Sequence, residues 1–116
     1  MKTSAVVAAL GSLAHEHRLA IYRLLVEQGP RGLSAGSIGE HVGLQPSSLT
    51  FHLQSLRHAG LVTQQRASRQ LIYSADFAVM RELVGYLTDN CCAADPEGCC
   101  APGTRAARKA RRGKAA

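Results

Sequence analysis

Apolar residues recur at helical spacing in five stretches of the chain, and helix-ending residues separate them. Gly29-Pro30 closes the second stretch, Ser34 is suited to cap the third, and Pro46 stands where a helix tolerates proline, at its first position. Gly60 is a suitable stop for the fourth stretch. The predicted helices cover residues 6–13, 15–28, 34–42, 46–59 and 76–90.

Two short β-prone segments lie between the fourth and fifth helices. Leu61 and Thr63 in the first, and Leu71 and Tyr73 in the second, show a partial two-residue alternation on either side of residues 66–69, which predicts a hairpin. The order is then helix, helix, helix-turn-helix, hairpin, helix. We therefore predict a mainly α fold with a β-hairpin wing, a winged helix-turn-helix. A domain this small buries a modest fraction of its surface, so we also expect a dimer.

Composition divides the 116-residue chain into three parts. Residues 1–90 form the predicted DNA-binding and dimerisation domain, 91–100 a cysteine-rich segment, and 101–116 a basic tail. The net charge of +6 belongs to that tail, which has six basic residues and no acid, because residues 1–100 carry eight basic and eight acidic side chains. The tail has no aromatic or branched apolar residue, so we expect it not to fold.

The second helix of a helix-turn-helix enters the major groove and presents its N-terminal residues to base edges. Here that helix opens with short polar side chains, and no acidic residue lies between Glu40 and Asp76. The neutral domain thus has one basic face suited to a polyanion. The candidate DNA-binding residues are Gln45, Ser47, Ser48, Thr50, Phe51, Gln54, Arg57, Arg66 and Arg69. Ser55 is also expected to face outward.

Each of these features also has an ordinary interpretation. Serines at a helix start are common caps, and isolated arginines are common surface residues. His52 lies one turn from Leu49 and Leu56, so we interpret it as a hydrogen-bonded residue at the edge of the core, and not as a metal ligand or base reader. His41 and His58 are expected to be solvated. The order of the elements and the acid-free window together favour DNA binding.

All four cysteines lie within ten residues, as two adjacent pairs: Cys91-Cys92 and Cys99-Cys100. Adjacent cysteines bridge each other only with strain, whereas Pro96 and Gly98 allow the two pairs to meet. In a reducing compartment such a cluster more often binds metal or senses redox state than forms disulfides. Soft thiolates favour thiophilic ions, and directly adjacent pairs fit the usual C-x2-C zinc pattern poorly.

The stretch from Ser47 to Ser74 resembles the ArsR–SmtB family of metal-sensing repressors. The matching residues are Ser48, Thr50, the His52-Leu53 pair, Leu56 and the AGLV run at 59–62. Arg66, Arg69 and Tyr73 extend the match, as do Arg18 and the apolar run after it. The resemblance covers about residues 5–90. It implies a homodimer joined through its first and last helices, which leaves a palindromic operator when inducer binds. The wing departs from the pattern: the family usually has an acid-Gly-Arg turn, where this chain reads RASR.

The same resemblance bears on the inducer. The family's Cys-x-Cys beside the first helix of the DNA-binding pair is absent here, and the last helix lacks the histidine of the family's zinc sensors. What remains is similar to arsenite-responsive members with a Cys-Cys pair at the end of the last helix and a further cysteine shortly after. It implies As(III), or Sb(III), as inducer, with Cys91, Cys92 and either Cys99 or Cys100 as ligands. Cadmium, lead, zinc, a thiol redox switch and cysteines without a role remain alternatives.

Other classes of protein fit the sequence less well. No stretch of 18 apolar residues is present, and the apolar start is interrupted at Gly11-Ser12, so we expect a first helix and a cytoplasmic protein, not a signal peptide or a membrane span. An arsenate reductase or thiol oxidoreductase would need a phosphate-binding loop or a C-x-x-C, and neither occurs. We therefore expect no enzymatic activity and no organic cofactor. A metal-buffering module with an incidental winged helix is a further alternative.

Overall fold

The computed structural model describes residues 1–98 of the chain, and Cys99, Cys100 and the basic tail lie outside that range. The helices are α1 (Thr3–Leu13), α2 (Glu16–Gln28), α3 (Ala35–Val42), α4 (Pro46–His58) and α5 (Phe77–Thr88). The strands are β1 (Leu33–Ser34), β2 (Val62–Ala67) and β3 (Gln70–Ala75), and short 3-10 turns cover Gly29–Arg31 and Pro96–Gly98. This order confirms the predicted mainly α fold with a hairpin wing.

The residues that were predicted to begin or end helices occupy helix ends in the structure. The Ser34 hydroxyl accepts a hydrogen bond from the Ser37 N–H at 3.2 Å and so caps α3. Gly43 ends α3 with a left-handed φ of 70°. Pro46 opens α4, and Gly60 follows its end with φ 81°, its N–H donating to the Arg57 carbonyl at 2.9 Å. Local sequence therefore sets both ends of the helix-turn-helix.

The wing is an antiparallel pair in which Val62 faces Ala75 and Ala67 faces Gln70. Only Ser68 and Arg69 remain to form the turn, and Ser68 has a left-handed φ of 63°. A two-residue hairpin loop needs such a conformation, which is why glycine is favoured there. The predicted hairpin is confirmed, and a serine occupies the position that glycine suits best.

A third strand was not predicted. The two-residue β1 pairs with the free edge of β3, with Leu33 opposite Tyr73, and gives the strand order β1-β3-β2. This strand is too short to show an alternating pattern. It joins the start of α3 to the wing, so the sheet and the helix-turn-helix form one unit.

The core lies where the helices meet the sheet. On α2 the Leu19 side chain is 44% exposed, whereas Ile21, two residues further along, is fully buried. The buried apolar residues are Val6, Ala9, Ile21, Tyr22, Leu25, Ile38, Leu49, Leu53, Leu56, Leu61, Val62, Tyr73, Ala75 and Leu83. Both candidate DNA-binding elements, α4 and the wing, are therefore anchored in the same core.

Two predicted helix boundaries were wrong by a few residues. Helix α1 begins at Thr3, not at residue 6, and α5 ends at Thr88, not at residue 90. The Thr88 hydroxyl donates back to the Val84 carbonyl at 2.9 Å, and Asn90 adopts a left-handed φ of 58° that no α-helix continues. Within residues 1–98, no helix is both long and apolar enough to cross a membrane.

Helices α1 and α5 expose large apolar side chains on one side of the molecule. The Thr3 and Tyr86 hydroxyls lie 2.7 Å apart and join the two helices. Exposed fractions reach 61% at Val7 and 59% at Leu87. We call this surface the α1–α5 face; its exposed apolar residues are Val7, Leu10, Val84, Tyr86 and Leu87.

Candidate nucleic-acid interface

Helix α4 is fixed against the domain by one face only. Leu49, Leu53 and Leu56 are at most 4% exposed and point into the core. The preceding turn is closed by a hydrogen bond from the Leu44 N–H to the Gly39 carbonyl at 3.1 Å, which sets α3 and α4 in their helix-turn-helix arrangement. The opposite face of α4 is consequently open to solvent.

The candidate residues of α4 all lie on that open face. Phe51 is the most prominent of them, with 66% of its side chain exposed. The exposed set is Gln45, Ser47, Ser48, Thr50, Phe51, Gln54 and Arg57. Ser55 does not belong to it, contrary to the prediction: it is half-buried, and its hydroxyl lies 3.0 Å from that of Ser12 on α1.

The N-terminus of α4 is not capped by a side chain. Gln45 is the N-cap residue in extended conformation, and its amide makes no capping hydrogen bond. The first N–H groups of a helix have no partner inside the helix, and Pro46 supplies none. This end of α4 therefore offers backbone donors and short hydroxyls to an anion or to base edges.

The arginines extend the surface from α4 to the wing. Arg57 lies in the last turn of α4, Arg66 near the end of β2, and Arg69 in the wing turn, and all three are exposed. None of them forms an ion pair within residues 1–98. Their charges are therefore available to phosphates.

His52 lies behind the open face, where α2 crosses α4. It is 7% exposed, and its Nδ1 lies 3.3 Å from a guanidinium nitrogen of Arg18, so the prediction of a hydrogen-bonded histidine at the core edge is confirmed. Burial, and after it the nearby His15, Arg18 and His17, lower the pKa of His52. The sequence did not predict that His15 and His17 join this group, because their proximity depends on the angle at which α2 crosses α4.

The cysteine segment follows α5 as a series of turns. The Cys91 N–H donates to the Thr88 carbonyl at 3.0 Å, and Cys92 has a left-handed φ of 63°. This conformation brings the two sulfur atoms within 3.5 Å of each other. Within residues 1–98, no group of three or more histidine, cysteine or acidic side chains is arranged so that it could hold a metal ion. The other predicted ligands, Cys99 and Cys100, lie outside the described residues.

The chain is similar to known transcriptional regulators in both sequence and fold. A family model described as a helix-turn-helix domain matches residues 13–65. The HTH-type transcriptional regulator YgaV of Escherichia coli is 31% identical over 85 residues, which are 73% of this chain and 84% of YgaV. An ArsR-like transcriptional regulator from Rhodococcus has the same fold with a TM-score of 0.63 and 25% identity, over 72% of this chain and 76% of that one. The chain belongs to the ArsR–SmtB family.

Two further similar proteins are also transcriptional regulators. BigR from Xylella fastidiosa, a transcriptional repressor, is 30% identical with a TM-score of 0.58, over 72% of this chain and 82% of BigR. NmtR of Mycobacterium tuberculosis, a transcriptional regulator, is 36% identical over 60% of this chain, which spans only 55% of NmtR. This ArsR–SmtB protein is therefore a DNA-binding transcriptional regulator and not an enzyme, and α4 with the wing is its candidate DNA-binding surface.

Proposed function

We propose that this ArsR–SmtB protein is a homodimeric repressor that releases its operator when As(III), or Sb(III), binds to thiolates of Cys91, Cys92 and either Cys99 or Cys100. The single observation that carries the proposal is the 3.5 Å separation of the Cys91 and Cys92 sulfur atoms, just beyond the last helix. Four arguments support it: the dimer face, the DNA-binding surface, the fit of the thiols to one ion, and the connection between them.

The α1–α5 face supports the dimer. A monomer seldom exposes several large apolar residues side by side unless another surface covers them. The winged helix-turn-helix DNA-binding domain of a possible ArsR-family regulator from Mycobacterium bovis is homodimeric. It is 28% identical, with a TM-score of 0.60, over 75% of this chain and 81% of that one. Two copies joined through this face would present two α4 helices, which suits a palindromic operator.

The open face of α4 supports binding to double-stranded DNA. Ser47 and Ser48 lie in the first turn of α4, where a recognition helix contacts base edges, and Gln54 lies further along the same face. Arg57, Arg66 and Arg69 would neutralise phosphates and fix the orientation of the dimer on the duplex. No acidic residue between Glu40 and Asp76 opposes them.

The two described thiols suit a single soft ion. Two sulfurs on one tetrahedral zinc stand about 3.8 Å apart, given Zn–S bonds of about 2.3 Å. The observed 3.5 Å is close to that separation, so the pair needs little rearrangement to bind one thiophilic ion through both sulfurs. A three-coordinate ion needs one more thiolate, for which the sequence offers Cys99 and Cys100. The bound ion would supply only a cross-link between thiolates.

The position of the cysteines connects the inducer to the dimer. Cys91 is hydrogen-bonded to Thr88, the last residue of α5, while Val84 and Leu87 of that helix lie in the α1–α5 face. A cross-link at this end of α5 would change how two subunits meet and hence the spacing of their α4 helices. A coupling of about 1–3 kcal/mol is typical of such systems and corresponds to an affinity change of about 5- to 150-fold.

The test is a fluorescence-anisotropy titration of the reduced protein on a labelled duplex taken from the region immediately upstream of its gene. We expect micromolar arsenite to release wild-type protein and to leave Cys91→Ser and Cys92→Ser bound. Ala93→Ser is the matched control, because it adds a hydroxyl beside the pair and keeps both thiols; it should respond as wild type does. Cys99→Ser and Cys100→Ser, tested singly, identify the third ligand.

Parallel titrations distinguish the alternatives. Release by cadmium, lead or zinc but not by arsenite would replace the metalloid with another thiophilic ion. Release by peroxide that a reductant reverses, without an effect of any ion, would make the pair a redox switch. Equal affinity with and without every one of these agents would refute regulation through the cysteines.

A further inference from the structure

Phe51 is the most exposed of the large apolar side chains that the structure describes, with 66% of its surface open to solvent. The next in order, Val7 and Leu87, belong to the α1–α5 face, which a second subunit would cover. Phe51 lies elsewhere, on the open face of α4. A single exposed apolar residue is common on protein surfaces. What distinguishes Phe51 is its surroundings.

Hydrogen-bonding side chains surround Phe51 on its face of α4. Ser47 and Ser48 lie about one turn before it, Gln54 lies about one turn after it, and all three are exposed. Those side chains can contact phosphates or the polar atoms of base edges. A phenyl ring has neither a donor nor a strong acceptor, so it cannot share that role. Phe51 is therefore an apolar group set into a polar surface.

His52 supports the ring of Phe51 from the inner side of α4. The two ring centroids lie 5.6 Å apart with an interplanar angle of 65°, which is an edge-to-face contact. His52 is 7% exposed, and its Nδ1 lies 3.3 Å from the guanidinium of Arg18 on α2. Because the phenyl ring already rests against a buried partner, it loses less side-chain freedom when it meets a ligand.

The major groove of B-DNA offers one kind of apolar group to such a ring. The edges of guanine, cytosine and adenine are distinguished there by hydrogen-bond donors and acceptors, whereas thymine adds a 5-methyl group. The second helix of a helix-turn-helix lies in this groove, and Phe51 lies in the second turn of α4. The thymine methyl group is consequently the feature of a base edge that matches the phenyl ring.

We propose that Phe51 selects a thymine in each half-site of the operator by contact with the 5-methyl group of that base. The proposal rests on the DNA binding and the dimer of the proposed function and is independent of the cysteines. Burial of one methyl group corresponds to about a fourfold gain in affinity. Two half-sites of a palindrome would together give about 15-fold.

Deoxyuridine provides the probe, because it pairs with adenine as thymine does and lacks only the 5-methyl group. Fluorescence anisotropy measures Kd for the upstream duplex and for the same duplex with deoxyuridine at every thymine. The ratio of the two Kd values reports recognition of methyl groups. Comparing this ratio between protein variants removes any effect of the methyl groups on the shape of the DNA, since that effect acts on every variant alike.

Four variants assign the ratio to one side chain. Phe51→Ser removes the ring, whereas Phe51→Leu retains an apolar group. Gln54→Ala shortens a polar residue on the same face. Leu19→Ala is the matched control, because it removes an exposed apolar side chain from α2, outside α4 and the α1–α5 face. Circular dichroism and analytical ultracentrifugation determine whether each variant is folded and dimeric.

We expect wild type and Leu19→Ala to bind the deoxyuridine duplex about 15-fold more weakly than the thymine duplex. Substitution of one thymine at a time should assign most of this loss to one base in each half-site. Phe51→Ser should lose most of the ratio, and Phe51→Leu should retain part of it. Gln54→Ala should bind both duplexes more weakly and keep the ratio of wild type.

Equal ratios in wild type and in folded Phe51→Ser would overturn the inference, as would equal affinity of wild type for the two duplexes. A monomeric Phe51→Ser would also overturn it, because the ring would then belong to the contact between subunits. Arsenite release that persists in these cases would leave the proposed function standing. A folded wild-type chain that binds neither duplex would refute both.

Discussion

The guanidinium of Arg18 on α2 lies 3.3 Å from the Nδ1 of His52 on α4, and this contact fixes the protonation state of the histidine. Arginine has only donors, so the Nδ1 that it contacts must be an acceptor and the ring must be neutral. A second Arg18 nitrogen donates to the Ser12 carbonyl at the end of α1. One side chain thereby joins α4 to both α1 and α2.

The stability of the protein should consequently fall in mild acid. Burial is the main cause that lowers the pKa of His52, so the folded chain binds this proton less readily than the unfolded chain does. The full stability is present above the ordinary histidine pKa of about 6.5, and it is lost as the pH falls from there toward the lowered value. Urea unfolding between pH 5.5 and 8, at fixed protein concentration, measures this loss.

Two variants identify the group responsible. His52→Gln keeps an acceptor for Arg18 and has no proton to gain, so its stability should vary less with pH than that of wild type. His41→Gln removes an exposed imidazole and should follow the wild-type profile. Stability that stays constant or rises on acidification of the wild type would contradict the assignment of the neutral ring.

The α1–α5 face can be tested separately from DNA binding. Leu87 is 59% exposed on α5, and a carboxylate at its position would be buried unpaired if two copies met there. We expect Leu87→Glu to be monomeric at micromolar concentration in analytical ultracentrifugation and to bind DNA at least tenfold more weakly. Phe51→Ser, on the open face of α4, is the matched control: it should stay dimeric while losing DNA affinity. A dimeric Leu87→Glu would show that the subunits meet elsewhere.

The sequence predicted those features of the structure that depend on residues close together in the chain. It did not predict those that depend on contacts between distant elements. Ser34, Pro46 and Gly60 act within a few residues of themselves, so α3, α4 and the open face of α4 were predicted correctly. Ser55 follows the helical period of an outward residue, yet it faces α1, because the crossing angle of two helices decides its partner. The approach of His15 and His17 to His52 was missed for the same reason.

Gly32 shows a second limit of prediction from sequence, and it provides a test. It precedes the unpredicted strand β1, has φ 72°, and passes so close to β3 that a Cβ would overlap the Tyr73 carbonyl oxygen. Gly32→Ala should lower the free energy of unfolding by about 2–4 kcal/mol, from strain and overlap together. Gly36→Ala is the control, since α3 leaves open space there and alanine favours helix by about 0.5–1 kcal/mol. Equal effects of both substitutions would contradict the close approach of this segment to β3.

The wing arginines and the recognition helix should affect DNA binding in different ways. Arg66 and Arg69 are exposed and form no ion pair within residues 1–98, so their expected partners are phosphates. Arg66→Gln/Arg69→Gln should weaken binding to every duplex alike and reduce the slope of log Kd against log salt by about 2. Ser48→Ala, on the open face of α4, should leave the slope unchanged and reduce the preference for the upstream duplex over a scrambled one.

Truncation after Gly103 removes all six basic residues of the tail, and a further fall in slope would add the tail to the phosphate contacts. If the double arginine variant kept the full slope, the wing would not touch the backbone, and the positive charge that holds the DNA would have to come from Arg57 and the tail.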